Sequence, residues 1–287
     1  GLAFATTAAG RGHQVDLYEA ASEIGGQFNM AKKVPGKEEF YETIRYFNKQ
    51  IQLTGVHLLL NRKVIAEDLL AAAYDEVVIA TGVYPRKIDL PGIDHPKVLS
   101  YIDVLKHGKA VGKNVAVIGA GGIGFDVAEY LVHQGQSPSL EAMAFMKEWG
   151  VDVQYLKRGG LGQAQPQAPA REVYLLQRSK GKPGARLGKT TGWIHRSSLK
   201  MKKVKMWNNC RYHKIDDQGL HLSIGEEQKL LPVDNVIICA GQLPLRDLYA
   251  PLSEKGIKAH LIGGASEARE LDAKRAIHQA TKLAATI

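Results

Sequence analysis

The stretch KNVAVIGAGGIGFDVAEYLVHQG, residues 113–135, constrains this chain most. Val115 to Ile118 form a short apolar run suited to a buried parallel strand, and Ile123, Val127, Tyr130 and Leu131 recur at helical spacing. Between strand and helix, Gly119, Gly121 and Gly124 make a G-x-G-x-x-G pattern. In that context the pattern has a mechanism. Gly119 permits a tight turn, Gly121 lets the backbone approach a pyrophosphate, and Gly124 lets the helix pack close to the strand. The phosphates then sit on free N–H groups at the positive end of the helix, around Gly122 and Ile123.

The next strand, Val173 to Leu176 in REVYLLQRSKGK, comes late. Arg178 is 59 positions past Gly119, where a ribose-reading residue usually stands about 20 on. The segment 136–170 therefore reads as an insertion, part helix (Leu140 to Trp149) and part loop rich in glycine, proline and glutamine. After the strand come Gln177, Arg178, Ser179 and Lys180, with no carboxylate to accept from a ribose 2′-hydroxyl. Arg178 and Lys180 suit a 2′-phosphate, one as a planar fork and one as a point charge, which favours NADPH over NADH.

Two further segments resemble each other. YDEVVIATGVYPRKIDLPGI and VDNVIICAGQLPLRDL each run from an acid through an apolar strand to a small-residue pair ending in glycine (Gly82, Gly241) and then a proline-bearing exit. Such repeats flank an inserted domain, one on the way in and one on the way out. At the start of the chain, a small-residue helix from Leu2 to Ala9 feeds a strand, His13 to Glu19, with an acid at its tip. That is the second half of a βαβ unit.

Composition excludes several classes. At 287 residues with 45% hydrophobic content the chain has material for two domains. Its apolar runs fall short of the roughly 20 residues of a membrane span, and it opens without a signal-peptide pattern, so a cytoplasmic location is expected. Cys210 and Cys239 are too few and too far apart for a redox pair, a zinc site or an iron–sulfur site; no metal ligands are assigned, and Cys239 reads as a buried small hydrophobe. The net charge of +9, densest in RSSLKMKKVKMWNN, fits a solvated basic face, attraction of phosphates near a nucleotide site, or nucleic acid. No nucleic-acid motif surrounds that run, so neither nucleic acid nor a membrane is expected as a partner.

Gly119 to Gly124, the paired IATG and ICAG strands and the EIGGQF loop together resemble the two-dinucleotide-binding-domain flavoproteins. Within them, AASEIGGQFNMAKKVPGKEEF, TGVYPRKIDLPGI and HLIGGASEARELDAKRAIHQATKLA resemble the C-terminal half of the bacterial NADPH-dependent 2,4-dienoyl-CoA reductases over essentially the whole chain. The resemblance implies an α/β fold of two Rossmann-like dinucleotide-binding domains, the NADPH domain inserted into the FAD domain. Residues 1–103 and 231–287 would form the FAD domain, and 104–230 the NADPH domain. Gly1 would be the third glycine of an FAD fingerprint whose first strand and phosphate loop precede it; Glu19 then falls 23 residues after that motif's first glycine, close to the usual interval, to accept from the ribose hydroxyls of FAD.

By the same resemblance Gly25, Gly26 and Gln27 line the flavin side, and Lys37 lies near the phosphates or ribityl chain. Val64 contacts the adenine through its backbone, while Ala80, Thr81, Gly82 and Gly241 pass close to cofactor. Gly263, Gly264 and Ala265 stand where many relatives have a glycine–aspartate pair, which leaves backbone N–H groups near a helix from Ala273 to Ala284. An FMN barrel and a 4Fe-4S cluster are expected in an N-terminal part of the same polypeptide, with the dienoyl-CoA bound outside this chain. Hydride would pass from NADPH to FAD and electrons through the cluster to FMN, in the β-oxidation of unsaturated fatty acids. No side-chain acid or nucleophile is required, and none is assigned. The alternatives are an electron-input module of an amine dehydrogenase or glutamate synthase, or a nucleotide-binding assembly domain without turnover.

Overall fold

The computed structural model describes residues 1–269 and 272–287; Glu270 and Leu271, within the closing motif, lie outside the described residues. The strands are β1 (Asp16–Tyr18), β2 (His57–Leu59), β3 (Val77–Ile79), β4 (Val83–Pro85), β5 (Val98–Ser100), β6 (Asn114–Ile118), β7 (Glu172–Leu176), β8 (Lys205–Trp207), β9 (Cys210–Asp216), β10 (Gly219–Ile224), β11 (Glu227–Leu231), β12 (Asn235–Ile238), β13 (Gln242–Pro244) and β14 (Ala259–Leu261). The helices are α1 (Leu2–Gly10), α2 (Phe28–Ala31), α3 (Phe40–Thr54), α4 (Ala66–Ala71), α5 (Tyr101–Leu105), α6 (Gly122–Val132), α7 (Ala142–Trp149), α8 (Gly192–Met201), α9 (Tyr249–Glu254) and α10 (Ala273–Ala284). Among the described residues, no helix is long and apolar enough to cross a membrane.

The chain forms two compact units. The first comprises Gly1–Asn29, Phe40–Arg86 and Gln242–Ile287, the second Met30–Glu39 and Lys87–Gly241. These divisions differ from the expected boundaries at 103/104 and 230/231, and strand pairing explains why. β12 pairs in parallel with both β5 and β6, so residues on the outer side of each expected boundary are held in the second unit's sheet.

That sheet is wholly parallel, in the order β5-β12-β6-β7-β8. Side chains alternate across it, as a period of two requires. Val115 and Val117 of β6, Leu175 of β7 and Ile237 of β12 pack with Val127 and Leu131 of α6 and Leu199 of α8. Ala116, Ile118, Leu176, Val236 and Ile238 face the opposite way, onto Ile215, Leu220, Leu222 and Leu231 of the antiparallel layer β9-β10-β11. Both faces are buried, which is why β6, β7 and β12 are continuous apolar runs.

In the first unit, α1 buries Ala3, Phe4, Ala5 and Ala8 against Ile44, Phe47 and Ile51 of α3 and Ala280 and Ala284 of α10. The expected strand from His13 is shorter, because His13 donates its N–H to the carbonyl of Ala8 and still belongs to the helix exit. β1 pairs in parallel with β2, and β14 with β3. The two resembling segments meet here through their exits: β13 pairs antiparallel with β4, with Gln242 opposite Pro85 and Pro244 opposite Val83.

The expected helix in the inserted segment is divided. Pro138–Leu140 form a 3₁₀ turn, and α7 starts after Glu141, whose carboxylate accepts from the N–H groups of Met143 (2.9 Å) and Ala144 (2.5 Å). It stops at Gly150 in the left-handed region. This insert is tied down by charge. Lys202 Nζ lies 3.3 Å from Glu148 Oε1 and 3.8 Å from Glu129 Oε2, and Ser198 Oγ donates to Glu129 Oε2 at 3.1 Å. All three ionisable side chains are buried. One ammonium faces two carboxylates, and burial pushes the Glu129 carboxyl up from 4.5 to about 7 against the pull of Lys202.

Folded Glu129 thus keeps its proton up to about pH 7, while the unfolded carboxyl releases it near 4.5. The folded state binds more protons across that window, so stability falls as pH rises through it, by up to about 3 kcal/mol. Thermal unfolding between pH 5 and 7.5 is expected to show this decline, and Glu129→Gln is expected to flatten it. A variant as steep as the wild type places the titration elsewhere.

Candidate functional site

The central feature of the second unit lies where β6 ends. Ile118 is level with Ile238 of β12 and Leu176 of β7, so the glycine loop emerges at the carboxyl edge of the sheet, where ligands of open α/β sheets bind. Gly119 has φ 114° and donates to the carbonyl of Leu176 at 2.9 Å. A Cβ there would stand 2.5 Å from the carbonyl oxygen of Cys239, and one at Gly124 would stand 1.7 Å from that of Gly119. Neither position has room for a side chain. Gly121 and Gly122 differ: a Cβ on either would meet nothing within 4 Å.

The backbone is therefore closed underneath and open above. α6 starts after Gly121, without a side-chain cap and without an acid in its first turn. Its first N–H groups have no partner within the helix, and the loop fits a dinucleotide pyrophosphate. Cys239 beneath it is buried, and burial pushes its thiol up out of the reactive range.

The turn after β7 lies beside this loop. The Gln177 N–H donates to the Trp207 carbonyl at 2.8 Å, and its side-chain amide donates to the carbonyls of Ser179 (3.1 Å) and Gly181 (3.2 Å). Asn208 adds a second bond to Gly181 O at 2.7 Å. The backbone is pinned while Arg178, Ser179 and Lys180 stay exposed. Neither cation has an ion pair among the described residues. Tyr212, close enough for Arg178 to pull its pKa down against a larger upward push from burial, has a buried hydroxyl without a hydrogen-bond partner.

Lys37 falls in the second unit, whereas Gly26 and Gln27 fall in the first. Its ammonium pairs with Asp126 Oδ1 on α6 at 2.6 Å, both half-buried. His195 of α8 is close enough to feel both: burial and then Lys37 lower its pKa, while Asp126 raises it. Sequence reasoning missed Asp126 and His195. Asp126 had a signal, as the first charged residue of α6.

In the first unit, Glu19 continues β1: its N–H donates to Leu59 O at 3.0 Å, and its Oε1 accepts from the Ala21 N–H at 2.9 Å. Ala80, Thr81 and Gly82 follow β3, and Gly263, Gly264 and Ala265 follow β14, which runs parallel to β3 with Leu261 opposite Ile79. These two loops share one carboxyl edge. Gly1 belongs with them, since a Cβ on it would be 3.4 Å from Ala80 Cβ and 3.8 Å from Leu17 of β1. Gly26 (φ 52°) and Gly82 (φ 78°) are open positions where a Cβ would meet nothing within 4 Å, backbone that fits close approach of a cofactor. Gln27 is exposed, Val64 is packed against the cluster around Leu69 and Ile79, and Gly241 ends the second unit rather than lying in the first.

Thr81 and Arg246 fasten these loops. Thr81 Oγ1 donates to Leu245 O at 2.6 Å. Arg246 Nε donates to Ala265 O at 2.6 Å and its Nη2 to Ser266 O. Arg246 was not singled out in the sequence; its signal was a lone arginine after the ICAG strand. Among the described residues, no three His, Cys, Asp or Glu side chains group to hold a metal.

The family model for pyridine nucleotide-disulphide oxidoreductases matches residues 1–265. The chain belongs to that family. It is a family of flavin-dependent oxidoreductases, and its fold binds FAD and NAD(P)H. A metal reductase of Desulforamulus reducens is 29% identical over 284 residues, covering 98% of this chain and 41% of that protein. A cinnamate reductase of Clostridium sporogenes is 27% identical over 94% of this chain and 36% of its own length. The structure of a 2-naphthoyl-CoA reductase in complex with 2-naphthoyl-CoA superposes with a TM-score of 0.82 at 26% identity, covering 100% of this chain and 38% of that one. The chain thus spans about two fifths of the length of each.

The two kinds of glycine in the second unit's loop separate by substitution. Gly121→Ala is expected to leave the thermal midpoint nearly unchanged yet weaken dinucleotide binding at least tenfold, because its methyl enters the space phosphates would take. Gly124→Ala is expected to lower the midpoint as well, its Cβ having to displace backbone. Calorimetry and thermal unfolding of the two variants check this.

Proposed function

We propose that this chain is the electron-input half of a flavoprotein reductase, taking reducing equivalents from NADPH onto FAD for use in the rest of the polypeptide. The observation that carries the reading is the pair of glycine-lined loops at strand carboxyl edges, one in each unit, the second beside a cationic turn with no carboxylate. FAD and NADPH, when bound, supply the hydride chemistry. The protein's own part is to bind, orient and shield.

In the first unit Gly1, Glu19, Gly26, Gln27, Val64 and the loops at Ala80–Gly82 and Gly264–Ala265 would hold FAD, with Arg246 occupying the carbonyls of Ala265 and Ser266 so that the loop keeps its shape. In the second unit Gly119 to Gly124 would take the pyrophosphate, and Arg178, Ser179 and Lys180 the 2′-phosphate. The finer assignment is 2,4-dienoyl-CoA reduction, through an FMN and a 4Fe-4S cluster in an N-terminal region of the same polypeptide. Support comes from the motifs HLIGGASEARELDAKRAIHQATKLA and TGVYPRKIDLPGI, and from the likeness to a reductase solved with an acyl-CoA thioester.

The test is an anaerobic titration of the intact protein that follows bleaching of flavin absorbance by NADPH and by NADH. NADPH is expected to reduce the flavin faster at low concentration, and Arg178→Ala to lose most of that preference by weakening NADPH at least tenfold while sparing NADH. Oxidation of the reduced protein by a 2,4-dienoyl-CoA is expected to follow. If neither nucleotide bleaches the flavin, the hydride-transfer function falls; if both do but dienoyl-CoA does not reoxidise the protein, only the substrate assignment falls.

A further inference from the structure

Between Glu172 and Asp216 the sequence holds no acidic residue, while it holds twelve lysines and arginines. The whole chain carries +9, so the remainder sums to −3 and the positive charge of this protein belongs to this one segment. Part of it is neutralised in the fold: Lys202 by Glu129 and Glu148, Lys205 by Glu172, Lys214 by Asp216. The part directly after β7 is not. Arg178, Lys180, Lys182, Arg186 and Lys189 are all exposed, and none has an ion pair among the described residues.

The fold holds the loop that carries these charges against α6. Gly184, in the midst of them, lies so close to α6 that a Cβ would stand 2.6 Å from the ring of Phe125, the residue after Gly124. Arg196 of α8 donates to Gly184 O at 3.0 Å and holds the loop there. Two of the five, Arg178 and Lys180, stand at the strand end where a ribose phosphate is read. The other three lie further along the same loop, exposed on either side of Gly184, which rests on the Phe125 ring of α6.

We propose that Lys182, Arg186 and Lys189 form an electrostatic collecting surface that speeds the association of a phosphorylated dinucleotide with the second unit without contributing to its final hold. The inference rests on the NADPH reading above and adds a kinetic role to the same site. A pyrophosphate and a 2′-phosphate together carry close to four negative charges at neutral pH, against two for the unphosphorylated dinucleotide. Cations grouped within about a Debye length of a binding loop raise on-rates by one to three orders of magnitude, an effect that salt removes. A surface of this kind favours NADPH in the rate of arrival as well as in affinity.

The experiment is stopped-flow binding of NADPH and of NADH to the intact protein, wild type against Lys182→Gln/Arg186→Gln/Lys189→Gln, from about 20 mM to 500 mM salt. The triple variant is expected to lower kon for NADPH about tenfold at low salt, to lower kon for NADH by a smaller factor, to leave koff within twofold, and to match the wild type at 500 mM. Flavin reduction at saturating NADPH and the thermal midpoint should be unchanged. If the wild type binds NADPH but the variant keeps its kon, or loses affinity through koff, the collecting surface is overturned while the NADPH reading stands. If the wild type binds neither dinucleotide at any salt, the reading beneath it falls. Tighter, salt-sensitive binding of a single-stranded oligonucleotide by the wild type, lost in the variant, reassigns the surface to nucleic acid.

Discussion

Helix α6 rests on strand β6 at a distance that admits no side chain. A methyl on Gly124 would lie within bonding distance of the Gly119 carbonyl oxygen, and one on Gly119 would strike the backbone of Cys239. This contact aims the start of the helix along the carboxyl edge of the sheet, sets the depth at which Val127 and Leu131 reach Val115 and Val117, and leaves Gly121 and Gly122 uncovered. The phosphate recognition assigned to the glycine loop follows from it. A helix one methyl further out would pack poorly and would point its N–H groups elsewhere.

The fold around that contact was legible because local rules and tertiary packing agree there. The apolar run of β6, the glycines and the helical spacing after them each name one element, and the structure has all three. α10 was equally legible, with Asp272 accepting from the Arg275 N–H at 2.7 Å to start it and small residues on its buried face. The loops of the first unit were readable only through family likeness, since Gly264 and Ala265 have no chemistry of their own to announce them.

What stayed hidden depends on partners distant in sequence. The layer β9-β10-β11 packs on one face of the parallel sheet, yet its strands mix lysine, histidine and aspartate with their apolar residues. The Lys37–Asp126 pair joins residues 89 apart, and in sequence Lys37 is only a lysine beside two glutamates. Glu129, Glu148 and Lys202 look like solvated surface until three helical segments bring them together out of water. The division into units depends on such partners too: β5 and β12 belong to the unit whose strands they bond, whatever their place in the chain.

The ribbon of β4 and β13 has a consequence for how such a molecule is put together. Pro85 and Gln242 are cross-strand neighbours, so the first unit releases the chain and receives it back about one strand spacing apart, some 5 Å. A two-residue turn would close that gap as an ordinary hairpin. The second unit's long segment is thus spliced into a place where the host already makes a tight bend, and the host's ribbon is indifferent to how much chain the bend contains. Exchange of one such segment for another asks that the newcomer's own ends lie side by side, and that it accept Met30–Glu39, the host stretch that folds with the second unit.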